Sequence, residues 1–232
     1  MVRPSSPLVR SAAPSGLLAR ERWDDVPSFV ENARRYASRA GLWALPLHID
    51  RLEGRAALAA GDTAQAVAEL ERAAALFPEF AGGDSPYRLR AQIALQRGDL
   101  AGAAAQLASQ VSLNENDLES HRMLADVRAR LGDHAGAADA LERAVYIHPF
   151  DAELHEQLAA HHAAAGNARG VVRARAALVA LDPVDGAEAL YQLALAHADA
   201  GDATAARRTV LRALEIAPNY EEAQLLLLRV RQ

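Results

Sequence analysis

This chain of 232 residues is 51% hydrophobic but only 5% aromatic, and alanine supplies much of the apolar content, which suits closely packed helices better than sheets. There is no cysteine, so disulfides and thiolate metal sites are excluded and the redox compartment is left open. All 25 basic residues are arginine, which excludes a lysine-bearing phosphate loop and Schiff-base or lysine-base chemistry.

Residues 1–23 are rich in Pro, Ser, Ala and Arg, carry no secretory signal and read as a disordered tail or linker. A first helix is expected after Asp25, with Pro27 in its first turn and its end near Gly41. Phe29, Ala33, Tyr36, Ala37 and Ala40 follow helical spacing in it, with Arg34, Arg35 and Arg39 to the side. Residues 24–46 thus form an N-terminal helix and a connection through Trp43 and Leu45 to Pro46.

Beyond Pro46 the chain repeats. Gly61, Gly98, Gly132, Gly166 and Gly201 are spaced by 37, 34, 34 and 35 residues, and each is followed by Asp or Asn. Seventeen residues after each glycine stand Pro78, Glu115, Pro149, Pro183 and Pro218. A period of that size means serial helical hairpins rather than a globule around one active site. In each unit the glycine stops helix A, the Asp or Asn caps helix B, and the proline closes it. After Pro218, Asn219 and Glu222 have capping-box spacing for a last helix over 220–230.

Small residues recur where the two helices of a hairpin should cross. They are Gly54, Ala91, Ala125, Ala159 and Ala194 on helix A, and Ala66, Ala103, Ala137, Val171 and Ala206 on helix B. Bulky Leu70, Leu107, Leu141 and Val210 follow four positions after the latter set; the fourth unit has Arg175 there. Val171 and Leu178 are expected to supply the missing apolar bulk, and this helix is expected to pack less well than its neighbours.

These slots resemble the tetratricopeptide repeat, over about three-quarters of the chain. The units read as 47–80, 84–117, 118–151, 152–185 and 187–220, with 221–232 as a capping helix. Helix A mostly lacks the family's aromatics: His121 and His155 stand at its tryptophan slot, with Tyr87 the nearest match. Ala81 to Gly83 are additional residues, and Gln110 and Glu115 replace the usual alanine and proline. The first junction is therefore expected to be the softest part of the array.

The resemblance implies an all-α fold, a right-handed superhelix whose inner groove binds an extended peptide or a partner's helix. Helical projection places Arg51, Arg55, Arg88, Gln92, Arg122, Asp126 and Arg130 on the free face of the first three units. In the last two it places Glu153, Glu156, Glu188, Tyr191, Leu195 and Asp199. Arginine forks suit an acidic segment or a C-terminal carboxylate, although charged faces also arise from solvation alone. The family's chaperone-tail clamp is not expected, because Leu89, Glu119 and Met123 stand at several of its slots.

Net charge is −5, with +3 over 1–46, zero over 221–232 and −8 between them, which argues against nucleic acid as the principal ligand. Membrane insertion is not expected either, because the longest leucine cluster, Leu225 to Leu228, lies between Gln224 and Arg229.

No catalytic or metal constellation emerges, and no cofactor is expected. The fourth residue after His155 is Ala159, so H-E-x-x-H spacing is not met. His121, His155, His162 and His197 fall at packing slots. Ser85 is followed by Pro86 and a helix, so Asp84 or Ser85 reads as a cap rather than a nucleophile. The expected function is a non-catalytic protein-interaction scaffold. Alternatives are an accessory module of a larger enzyme such as a peptidase, and self-association between basic and acidic groove halves. The lack of a signal favours the cytoplasm, though an excised fragment would have lost one.

Overall fold

The computed structural model describes residues 26–40 and 45–230, all secondary structure among them is helical, and the expected tail over 1–23 lies outside them. The chain divides into two compact units, residues 1–115 and 116–232. The first holds α1 (Val26–Ala40), α2 (Leu45–Ala59), α3 (Thr63–Leu76), α4 (Pro86–Gln96) and α5 (Leu100–Leu113). The second holds α6 (Leu118–Arg130), α7 (His134–Ile147), α8 (Ala152–Ala164), α9 (Ala168–Ala180), α10 (Gly186–Asp199), α11 (Ala203–Ile216) and α12 (Glu221–Arg229).

The hairpins pair α2 with α3, α4 with α5, α6 with α7, α8 with α9 and α10 with α11. One turn chemistry builds all five. The five glycines have φ between 72° and 81°, a region that side chains resist. The following Asp or Asn then does two jobs. Its N–H reaches back 2.8–2.9 Å to a carbonyl of helix A, closing the C-terminus. Its side chain accepts an N–H of helix B at 2.8–3.0 Å, capping the N-terminus. Helix A is capped likewise by Ser85, Asp117, Asp151 and Asp185.

In the first unit, Val26 and Val30 of α1 pack on Ile49 and Leu52 of α2. Ala57, Ala66, Leu70, Leu89 and Ile93 then join α2, α3 and α4. A Cβ on Gly54 would lie 2.8 Å from Leu70 Cγ, so this crossing needs glycine. In the second unit, Ala194, Val210, Ala223 and Leu226 knit α10, α11 and α12 together.

Two expectations need correction. In α9 the buried residues are Gly170, Ala174 and Leu178, while Val171 and Arg175 are half-buried. Leu178 is buried as expected, but at the two earlier positions the inward face is shifted by one residue, to Gly170, where a Cβ would come within 2.4 Å of His162 Cγ of α8, and to Ala174. Second, the capping box at Asn219 and Glu222 does not form. Tyr220 precedes the first turn of α12 and gives it no side-chain cap. The additional residues Ala81 to Gly83 are tethered by side-chain hydrogen bonds. Gln110, fully buried where alanine is usual, donates from Nε2 to the Ala81 carbonyl at 3.0 Å and accepts from the Ser85 hydroxyl. Asn114 Nδ2 donates to the same Ala81 carbonyl at 3.0 Å.

Candidate partner-binding surface

The side chains assigned to the groove fall on α2, α4, α6, α8 and α10, and the fold already employs several. Arg51 is only 8% exposed. Its guanidinium lies 4.5 Å from the Phe80 ring centroid. Its Nε donates to the Asp84 carbonyl at 3.1 Å, and the group pairs with the Asp84 carboxylate. Burial, then the positive charge of Arg55, lowers it to about 10, so it stays charged at neutral pH. Arg51 therefore serves as a strut between α2 and the segment before α4. Arg55 and Arg88 are half-buried and Gln92 is exposed on the same helices.

The second unit repeats that strut. Arg122 of α6 donates to Asp151, the cap of α8, at 3.1 Å and stands 3.8 Å from Glu153. Arg130 and Asp126 pair at 3.6 Å one turn apart. Glu156 is exposed. Tyr191 is not an open groove wall: its ring centroid lies 5.1 Å from that of Tyr220, and it packs with Leu195 on the cluster that holds α12. The Tyr220 hydroxyl donates to Glu188, and burial together with that carboxylate holds it above the ordinary phenol range.

His121, His155 and His162 are buried, and His155 Nε2 donates to the Pro149 carbonyl at 2.8 Å. His162 Nε2 lies 3.3 Å from Glu142. His197 is half-buried. His134 Nδ1 and His161 Nδ1 stand 3.2 Å apart, and burial, then its histidine neighbours, lowers the basicity of His161.

Sequence reading missed one cluster. Asp50, Glu53 and Glu69 converge between α2 and α3, the one such group of three ligand-type side chains among the described residues. Arginines already supply its countercharge: Arg34 reaches Asp50 and Glu53, each at 2.7 Å, and Arg72 pairs with Glu69. The i, i+3 spacing of Asp50 and Glu53 was visible beforehand; the approach of Arg34 from α1 was not. Among the described residues, no helix is long and apolar enough to cross a membrane.

A family profile described as bacterial transcriptional activator domain matches residues 48–169, just over half of the chain. The chain belongs to the bacterial transcriptional activator domain family. A tetratricopeptide repeat profile matches residues 187–220, the α10–α11 hairpin, so this family member is also a tetratricopeptide-repeat protein with an all-α fold. No curated protein matches the chain. Among solved structures, the crystal structure of the MamA protein is 19% identical, with 73% of this chain and 91% of that one covered at a TM-score of 0.50. The structure of Naa15/Naa10 bound to HypK-THB is 12% identical, with 94% of this chain and 33% of that one covered at a TM-score of 0.67. Both likenesses concern the fold alone.

Proposed function

We propose that this chain is a non-catalytic interaction module of a bacterial transcriptional activator, binding a protein partner on the exposed faces of its A helices. The observation that carries this reading is the activator-domain match over residues 48–169, which spans hairpins whose helix-A faces carry clustered charge. The repeat limits given above are part of the proposal. The charge of −8 over the repeats disfavours the phosphate backbone, so the proposed role is contact with protein rather than DNA.

Within this reading Arg55, Arg88 and Gln92 form a basic surface on the first unit and favour a partner segment rich in carboxylates. On the second unit, Arg122, Asp126, Arg130 and Glu156 form a mixed surface of their own. Arg51 and Tyr191 support the surface from behind. Packed helices within each unit lose little freedom on binding, which leaves more of the contact energy as affinity.

Fluorescence anisotropy with acidic C-terminal peptides, against amidated and neutral controls, tests the reading. The acidic peptides are expected to bind the intact chain, and R88E/R122E is expected to abolish binding with the helical circular-dichroism signal kept. Equal binding by the variant, or by the neutral controls, would sink the acidic preference.

A further inference from the structure

α12 carries an apolar face that the other described residues leave exposed. α12 starts at Glu221, 35 residues after the start of α10 at Gly186. In that register Leu225 and Leu228 correspond to Leu190 and Leu193. The α10 pair is 4% and 7% exposed, while the α12 pair is 66% and 58% exposed. α12 turns Ala223 and Leu226 inward. Helical spacing puts Glu221, Glu222, Leu225, Leu228 and Arg229 together on the outer face, and all five are exposed.

We propose that this face is a self-association surface, on which a second copy of the chain lays its own α12 antiparallel to the first. The charge order selects that occupant. Acids stand at the N-terminal end of the face and arginine at the C-terminal end, with Glu221 and Arg229 equally distant from Leu225. A two-fold axis at Leu225 therefore sets Leu225 against itself and Glu221 against Arg229 of the second copy, twice. Parallel pairing would oppose like charges at both ends. Antiparallel pairing also brings each helix N-terminus beside the other's C-terminus, which the backbone dipoles favour.

A nine-residue helix is about 14 Å long, and its face is well under the roughly 800 Å² per partner of a standard interface. The dimer is accordingly weak and concentration-dependent. This surface is separate from the helix-A faces of the proposed partner site, so either reading can fail alone.

Sedimentation of the full chain over a concentration series tests the proposal. The average mass is expected to move from 24.8 kDa toward twice that value. L225E/L228E, at exposed positions, is expected to stay monomeric with an unchanged melting curve. E221R/E222R and R229E are each expected to be monomeric alone, and their equimolar mixture to associate, because each supplies the sign the other lacks. A wild-type chain monomeric to its solubility limit overturns the proposal. So does a dimer that survives L225E/L228E, or a mixture that stays monomeric.

Discussion

Gln110 Nε2 stands 3.0 Å from the carbonyl of Ala81, so a helix-B side chain in the second repeat holds the additional residues that precede that same repeat. Two departures from the repeat pattern, a longer junction and a polar residue in an alanine slot, are thus one device. Q110A restores the usual residue yet removes the acceptor of the Ser85 hydroxyl and one of the two side-chain donors to that carbonyl, Asn114 keeping the other. Leaving buried polar groups unmatched costs about 1–3 kcal/mol. Urea denaturation is expected to show a loss of that size; a variant as stable as the parent would mean that water satisfies the junction.

Gly170 and His162 form a second dependent pair. G170A gains helix propensity of roughly 1 kcal/mol, but its Cβ meets the imidazole, and overpacking costs about 1–3 kcal/mol. The single variant is expected to be destabilised in thermal melts. H162A/G170A is expected to be more stable than the two single effects summed. Simple additivity would show that the two residues do not share space.

Arg51 offers a third test. Removing a buried, paired guanidinium leaves Asp84 without its partner and Phe80 without its cover. R51A is expected to lose about 3 kcal/mol by chemical denaturation. R51K is expected to recover only part of that loss, since an ammonium cannot both stack on the ring and reach the Asp84 carbonyl. Full recovery by lysine would assign the effect to charge alone.

Asp50 gives a pH signature. Burial raises its carboxyl above the ordinary value, against the opposing pull of Arg34. A carboxyl raised in the folded state contributes stability that is complete below its unfolded pKa and is lost as pH rises through its folded pKa. D50N lacks that loss and can still accept from Arg34. Its stability relative to the parent is therefore expected to increase with pH through the carboxylate range and then level off. An opposite slope would mean that the Arg34 pair outweighs burial.

Fold class was legible because it rests on local chemistry. Gly61 and its four equivalents each need a positive φ, and the Asp or Asn that follows closes one helix while opening the next, so two adjacent letters specify a whole turn. Those letters alone determined an all-α series of hairpins, their period and most of their caps.

Tertiary structure decided what long side chains do once the helices meet. Arg51 reads as a surface charge by helical projection, yet Phe80 and Asp84, about thirty residues away, draw it inward. Tyr191 reads as exposed until α12 lays Tyr220 upon it. The physical reason is reach. Turn chemistry acts between neighbours in the chain, whereas burial of an arginine or an aromatic depends on which distant segment arrives beside it.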